Sequence, residues 1–484
     1  MREFEPDFPD VLSRMSENGV THVISIGSLA QNERIEKTLE IANSHDFIYA
    51  TLGVHPKSPY KDLHDIALSF ENYYSKNKKK IAAVGEIGLD YFIPDASKEE
   101  LEKIKIKQKE LFEFQLKIAV SHRLPVIVHI RDAYEDAINI LKAYAKMPDA
   151  FFGGVIHCFS SDDPSIASEF IKMGFFISFS GNITYKKNGG LRASAKEIPD
   201  EKILIETDSP YLAPQNFRGK RNEPSYVRFV LDALAELKGV ERAKFEDLTV
   251  QNTVNLFSLE EVPGFYPSVA YKIRNSVYIN LTNKCTNRCA FCPKYQNGGS
   301  NFNVRGYNLE LKKEPTAQEV VSSVFRYYNF KEAVFCGLGE PTLRIETLKE
   351  SAKALKEAKK AAISGTGGGS GDAGIKLRLD TDGLANAVYG RNIAAELEGL
   401  IDSVSISLNA QNGKVYEKFC NPQMLKKGVD AYSSVLDFVK ESRKRIKEVT
   451  VTAIDLPGID IAGIENIAKS LKVGFKLRKF NDVG

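Results

Sequence analysis

Seven short runs rich in β-branched and aromatic residues punctuate the first 206 positions, with stretches of helical character between them. They are His22–Gly27, Phe47–Gly53, Ile81–Glu86, Pro125–Ile130, Gly153–Cys158, Phe175–Ser180 and Lys202–Glu206; Leu101–Arg123 and Glu223–Lys238 are among the helical stretches. Strands alternating with helices argue for βαβ units in a parallel sheet. So many in succession predict an α/β fold of the (β/α)8 TIM type, in which functional side chains gather at the carboxyl ends of the strands. The count stops at seven. The chain opens Met-Arg-Glu-Phe-Glu-Pro and enters a helix over Phe8 to Asn18, so the domain expected over residues 1–260 is a barrel lacking its first strand. Such a barrel exposes two unpaired strand edges, which proteins generally avoid.

The alternation resumes downstream. Strands are expected at Ser276–Thr282, at the start of Ala333–Pro341, and at Lys376–Asp380, Ser403–Asn409, Glu448–Asp455 and Val473–Arg478, with helices such as Glu346 to Ala361 between them. These six predict a second parallel α/β domain over residues 268–484, joined to the first at Glu261-Val-Pro-Gly-Phe-Tyr-Pro267. The glycine-rich stretch Ser364–Gly374 falls between a helix and a strand of that domain and is expected to be a flexible loop. The 66 Lys and Arg nearly balance the 63 Asp and Glu, so neither a polybasic arm nor an acidic tail is expected. Nucleic-acid binding would need locally concentrated positive charge. No leader or long apolar run is present, which predicts a cytoplasmic protein with no membrane partner. The six cysteines suit a reducing compartment, with Cys158, Cys336 and Cys420 expected as buried free thiols.

Chemistry sits where the barrel rule puts it. Glu86 ends a strand in Ala83-Val-Gly-Glu-Ile-Gly-Leu-Asp-Tyr91, and His129 ends the next in Val126-Ile-Val-His-Ile-Arg-Asp132. His157 follows in Gly154-Val-Ile-His-Cys-Phe159, and Asp208 closes the series in Ile205-Glu-Thr-Asp-Ser-Pro210. One histidine on a buried strand is ordinarily a satisfied core side chain. Imidazoles and carboxylates converging from four strand ends can hold a divalent metal, with carboxylate as a bridge.

These strings, with Gly53-Val-His-Pro56 and Ser209-Pro-Tyr-Leu-Ala-Pro214, closely resemble the TatD family of metal-dependent deoxyribonucleases from about residue 5 to residue 258. The resemblance implies hydrolysis of DNA or another phosphodiester substrate with one or two divalent ions (Mg, Mn or Zn). It implies that Glu86 bridges two metals, that His129 and His157 hold the second, and that Asp208 binds the first and assists the attacking water. His55 and Arg131 become substrate contacts. The loop Arg218-Gly-Lys-Arg-Asn-Glu223 offers further phosphate contacts, or simply solvated charges at Arg218 and Lys220. The family's barrels open with a strand ending in His-x-His, which supplies two ligands to the first metal; this sequence does not contain it. A start codon set too far downstream and a real truncation both account for that, and the first-metal site is expected to be crippled.

A separate chemistry is written at Cys285, Cys289 and Cys292, spaced C-x3-C-x2-C at the end of a strand. Three thiolates are one short of a structural zinc site. Either Cys336 or Cys420 completes a zinc knuckle, or an iron–sulfur cluster keeps one iron open for a small molecule. Histidine cannot help, since all seven lie in the first third of the chain. One strand–helix unit later comes Gly337-Leu-Gly-Glu-Pro341, where glycine permits close backbone approach and proline stiffens the turn.

These motifs, with Phe291 just before the last cysteine, resemble the radical SAM enzymes, and the six strands match that family's partial (β/α)6 barrel. The resemblance implies a [4Fe-4S] cluster on the three cysteines with S-adenosyl-L-methionine chelated to the open iron. It places Gly339, Glu340 and Pro341 near the cofactor's amino group, and Asp380, Ser407 and Asn409 near its ribose and carboxylate. Alternatively, those last polar residues merely cap the helices that follow. A radical substrate that the sequence does not name and an electron donor such as flavodoxin or ferredoxin are the implied partners.

Both halves together resemble the TatD-nuclease-associated radical SAM proteins. Three functions are compatible with the sequence: a bifunctional phosphodiester hydrolase and radical SAM enzyme; a radical SAM enzyme whose first half is a degenerate module that binds nucleic acid or substrate; and a hydrolase of a non-nucleic substrate.

Overall fold

The computed structural model describes every residue except 1, 61, 146–152, 260–261, 263–264, 267–268, 299–301, 328–329, 365–374, 426–427 and 480–484. The glycine-rich stretch after Ser364 and most of the junction at 260–268 lie outside the described residues. The chain divides into two compact units, Met1–Phe265 with Arg305–Asn308, and Tyr266–Val304 with Leu309–Gly484.

All seven expected strands form in the first unit: β1 (Val23–Ser25), β2 (Ile48–Leu52), β3 (Ile81–Asp90), β4 (Val126–Arg131), β5 (Gly154–Ile156), β6 (Phe176–Phe179) and β7 (Ile203–Ile205). They pair in parallel in sequence order, a curled sheet of the TIM type with β1 and β7 at its edges. β2 is buried at every position, and the apolar side chains of the sheet and its helices form one large cluster. Residues 2–7, where no strand was read, form a 3-10 helix that leads into the helix Phe8–Glu17. This segment is tied down by ion pairs, Arg221 to Asp7 at 2.6 Å and Arg14 to Glu223 at 2.7 Å. Arg221 holds the Asp7 carboxyl down to about 2 and is therefore committed to it, so the 218–223 loop cannot offer this arginine to a phosphate.

β3 departs most from expectation. It continues four residues past Glu86, to Asp90. Gly85 pairs with Ile127 and Ile87 with Val128, which leaves Glu86 as the extra residue of a bulge. A bulge re-aims a side chain without ending the ladder. Beyond it, Gly88 adopts φ +138, and a Cβ there would lie 2.0 Å from the carbonyl oxygen of His129. Only glycine lets β3 and β4 approach this closely and carry Asp90 to the mouth.

The second unit begins with a hairpin, β8 (Ala270–Ile273) antiparallel to β9 (Ser276–Ile279). The sequence reading passed over β8, a four-residue strand whose turn passes through Arg274 at φ +54 without a glycine. The two-residue strand β10 (Asn303–Val304) follows; the next, β11 (Tyr307–Asn308), belongs to the first unit. The other expected strands are β12 (Glu332–Phe335), β13 (Lys376–Thr381), β14 (Ser403–Ser407), β15 (Glu448–Ile454) and β16 (Gly474–Arg478). The mixed sheet runs β16-β15-β14-β13-β12-β9-β8, so six of its seven strands are parallel and β8 is the antiparallel edge. Among the described residues no helix is long and apolar enough to cross a membrane.

Gly88→Ala is expected to cost more than about 3 kcal/mol, because it combines a forbidden φ with a backbone clash. Gly189, whose added Cβ meets nothing within 4 Å, serves as the control, and Gly189→Ala should leave the chemical-denaturation midpoint nearly unchanged. Equal midpoints for the two variants would refute this account of β3.

Candidate metal centre and cysteine site

Five side chains meet at the mouth of the first sheet. Glu86 Oε1 lies 2.9 Å from His129 Nδ1, 3.4 Å from His157 Nε2 and 3.9 Å from His55 Nε2. Asp208, in the left-handed region at φ +57, brings Oδ1 to 3.7 Å from His157 Nε2.

The far nitrogens of the rings decide what this cluster can do. His129 Nε2 contacts Asp90 Oδ2 at 3.2 Å, and Asp90 also pairs with Lys57 at 3.2 Å and accepts from the Phe92 N–H at 3.0 Å. His157 Nδ1 contacts Glu206 Oε2 at 2.7 Å, while Glu206 Oε1 accepts from the Cys158 N–H at 2.7 Å. A carboxylate only accepts, so each of these far nitrogens carries the hydrogen. Without a further proton, the near nitrogens then turn lone pairs toward the Glu86 oxygen. Lone pairs on nitrogen and carboxylate oxygen repel at 2.9 Å unless a cation stands between them. A proton fills that role here. Burial pulls both imidazoles down, but Asp90 and Glu86 lift His129, and Glu206 and Glu86 lift His157 well above its usual value. Burial likewise raises Glu86, yet His157, His129 and His55 outweigh it and hold the carboxyl down to about 2. Burial pushes Asp208 up to about 7. Two carboxylate-backed imidazoles facing two carboxylates fit a divalent ion, which would take the place of those protons.

His55 differs. Its nearest atoms, with those of Glu86 and His129, all fall within 4.8 Å of one another, a spacing that suits an ion. Its Nδ1, however, accepts from the Lys57 N–H at 3.1 Å, which leaves the hydrogen on Nε2. Burial lowers its pKa and keeps it neutral. His55 thus aims an N–H at the centre, a donor for substrate oxygen and a poor metal ligand. Arg131, exposed at the end of β4, lies 3.9 Å over the Phe92 ring, and no carboxylate among the described residues pairs with it. Arg218 lies 4.8 Å over Tyr185. Sequence reasoning missed Asp90 and Glu206, although both stand inside the strings already singled out, each two or four residues from an assigned carboxylate.

In the second unit, the cysteine loop is zipped to residues 419–423. Ala290 donates its N–H to Phe419 O at 2.8 Å, Arg288 to Cys420 O at 3.1 Å, and Gln423 to Thr286 O at 2.8 Å. Burial raises the Cys292 thiol to about 11 and Cys285 further; a hydrogen bond with Cys420 and then burial raise Cys289. Such thiols stay protonated unless a metal replaces the proton. Tetrahedral zinc would hold its sulfurs about 3.8 Å apart. Among the described residues no three cysteines lie within 4.8 Å of one another. Cys420 is buried as expected; Cys158 and Cys336 are half-buried as residues, though burial raises both of their thiols.

Gly339 fits closely against the cysteine strand: an added Cβ would lie 2.1 Å from Thr282 O. Glu340 donates its N–H to Lys284 O at 2.8 Å. Its buried carboxylate accepts from Thr342 Oγ1 at 2.6 Å, Thr381 Oγ1 at 2.8 Å and the Asp382 N–H at 2.8 Å, and Asp382 in turn accepts from Thr286 Oγ1. The Glu340 side chain therefore ties its own turn to the 381–382 turn, Asp382 carries the link on to the cysteine loop, and Pro341 opens the 3-10 turn Pro341–Arg344. Phe291 is half-buried within the cysteine loop. Asp380 stands 3.0 Å from Arg378, Ser407 Oγ accepts from Arg478 at 3.0 Å, and Asn409, at φ +52, donates its N–H to Thr452 O at 3.3 Å.

The profile of the family described as TatD related DNase matches residues 1–258, and that of the radical SAM superfamily matches residues 279–471. The chain is 36% identical over 257 residues to an uncharacterized metal-dependent hydrolase, YabD, of Bacillus subtilis (strain 168), covering 53% of this chain and 95% of that protein. It is 30% identical over 264 residues to the 3'-5' ssDNA/RNA exonuclease TatD of Pectobacterium parmentieri (strain WPP163), covering 53% of this chain and 95% of that protein. Among solved structures, the TatD homolog YJJV of Escherichia coli k12 is similar at 28% identity and a TM-score of 0.47, over 53% of this chain and 93% of that one.

Ion binding at this centre must displace protons from His129 and His157, both of which are raised. Affinity for Mn2+ or Zn2+, read by titration calorimetry, is therefore expected to fall by at least about tenfold from pH 8 to pH 5. Glu206→Gln, which loosens His157, should weaken binding by about 10–100-fold at pH 8. A pH-independent affinity would remove the imidazoles from the ligand set.

Proposed function

Since the chain belongs to the TatD related DNase family over residues 1–258 and carries a radical SAM domain over residues 279–471, we propose that it is a bifunctional enzyme. On this reading the first unit hydrolyses phosphodiester bonds with a divalent ion, and the second is a [4Fe-4S], S-adenosylmethionine-dependent radical enzyme. The observation that carries the hydrolytic half is the convergence of His129 Nδ1 and His157 Nε2 on Glu86 Oε1, at 2.9 and 3.4 Å, with each ring backed by a carboxylate.

His129, His157, Glu86 and Asp208 would hold the ion, Mg, Mn or Zn. Bound there, it supplies Lewis acidity and a water of lowered pKa. Asp208, in this account, takes the proton of the attacking water. His55 donates its Nε2–H to a phosphoryl oxygen, and Arg131, already oriented by the Phe92 ring, pairs with phosphate. The retained donor set speaks against a degenerate binding module.

In the second unit, Cys285, Cys289 and Cys292 would hold the cluster, and Gly339, Glu340 and Pro341 would shape the turn beside it. The bound cluster and S-adenosylmethionine supply one-electron chemistry leading to hydrogen abstraction. Cys289 is set by the pairing of its loop with residues 419–423, and an electron donor of the flavodoxin or ferredoxin kind belongs to the same proposal.

With Mn2+ or Mg2+, the full chain should cleave an oligonucleotide and the small diester bis(p-nitrophenyl) phosphate, and His157→Ala should lower both rates by at least about 100-fold. Background-level hydrolysis of both by the parent protein would sink the hydrolase half. After anaerobic reconstitution, the parent should form 5′-deoxyadenosine under a reductant and Cys289→Ala should not; equal yields would overturn the ligand assignment.

A further inference from the structure

Parallel sheets covered on both faces are usually apolar on both. The second unit breaks this rule on one side only. On β13, Leu377, Leu379 and Thr381 are buried while Arg378 and Asp380 alternate with them toward the other face. The register carries this polar face across the sheet: Asp380 sits opposite Ser405, Ser405 opposite Thr450, Ser407 opposite Thr452, Thr452 opposite Lys476 and Ile454 opposite Arg478. On the other face Val404, Ile406, Val451 and Ala453 are buried, where the helices Ala431–Arg445 and Ile461–Ser470 pack.

The charges on the polar face do not balance. Arg378 takes both available acids, Glu332 at 3.0 Å and Asp380 at 3.0 Å. Arg478 donates to Ser407 Oγ at 3.0 Å, but its Nε is buried without a partner. Among the described residues no carboxylate pairs with Arg478 or with its strand neighbour Lys476. Two more buried polar atoms beside it, Thr452 Oγ1 and Asn409 Oδ1, also lack partners. By the alternation of β16 the two cations share one face, Arg478 half-buried at the end of the strand and Lys476 exposed two residues before it. A guanidinium cannot shed its charge, and buried charges are normally paired.

We propose that Arg478, Lys476 and Thr452 form a binding subsite for an oxyanion, a phosphate or carboxylate group, of the molecule on which the radical acts. The proposal rests on the radical SAM reading of this unit. In the sheet order, β16 is separated from β9, whose loop bears the cysteines, by β12, β13, β14 and β15. The subsite thus lies toward the far wall from the cluster ligands. The guanidinium offers a planar fork and Lys476 a second positive charge, the combination that selects phosphate or carboxylate over a neutral group.

Equilibrium dialysis of labelled phosphate, and separately of malonate, tests this on the anaerobically reconstituted full chain carrying His129→Ala, so that the first unit's centre contributes no phosphate of its own. At constant ionic strength, Arg478→Gln should weaken retention of at least one probe tenfold or more, Arg478→Lys should recover part of it, and S-adenosylmethionine affinity should change by less than twofold. Circular dichroism and cluster absorbance confirm that both variants are folded. Equal retention by the parent and Arg478→Gln, or none by either, overturns the subsite. A tenfold loss of S-adenosylmethionine affinity in Arg478→Gln also overturns it, because the anion would then be the cofactor's own carboxylate. If the parent bound neither cluster nor S-adenosylmethionine, the underlying radical reading would fail, while the dialysis would still judge the oxyanion site.

Discussion

Each imidazole of the first unit's centre is gripped from behind by a carboxylate, and that grip governs what the front of the ring can do. Asp90 fixes His129 and Glu206 fixes His157, so both rings must present a lone pair or an extra proton to Glu86. The local backbone follows from this need. β3 has to run on to Asp90, the bulge has to turn Glu86 inward, and Gly88 has to lie against the backbone of His129. Asp90 must also remain ionised while buried, which Lys57 and the Phe92 N–H secure. These features all act through Asp90 on His129, while Glu206 fixes His157 independently, and an ion held by the two rings would depend on both tautomers being defined.

The second unit solves a similar problem with one buried carboxylate. Glu340 joins the turn after β12 to the end of β13 through Thr381 and Asp382, and its backbone N–H holds the strand end before Cys285. Asp382 continues the link to Thr286, within the cysteine loop. A carboxylate with all its bonds made is inexpensive to bury, whereas the same group with one bond missing is not. The three loops are therefore ordered together, which accounts for an acidic residue at the centre of a glycine-rich turn.

Much of this was legible in the sequence. The seven strands of the first unit and the six parallel strands of the second follow from the alternation of β-branched runs with helical stretches. His157 and Asp208 lie just past strand ends, as read, whereas Glu86 and His129, read as strand ends, stand inside β3 and β4 and reach the same cluster. Asp90 and Glu206 did not show, because a carboxylate near a strand end reads equally well as a helix cap. The bulge did not show either, since nothing in Gly85-Glu86-Ile87 separates a register shift from a strand end. Arg221 fell within the loop read as phosphate contacts because its partner Asp7 lies more than two hundred residues away. β8 was too short, and its turn too ordinary, to rise above the adjoining loop.

Both sheets are built mainly of parallel strands, seven in the first unit and six beside an antiparallel edge in the second, but they differ in what fills their faces. In the first unit both faces of β2 and nearly all of β3 are buried among apolar side chains, so reactive groups are confined to the mouth. A centre at an open mouth can act on one bond of a long molecule without enclosing the rest. In the second unit the same kind of strand alternates Leu377 and Leu379 toward the helices with Arg378 and Asp380 toward the interior. A parallel sheet gives up apolar burial on a face only at a cost in stability, and here the polar groups left there include the half-buried Arg478, which no carboxylate among the described residues pairs. Radical chemistry needs its substrate enclosed and held at a fixed distance from the reacting carbon. On the radical reading proposed for this unit, Arg478 on a polar face gives a small anionic molecule a partner that a packed apolar interior would not.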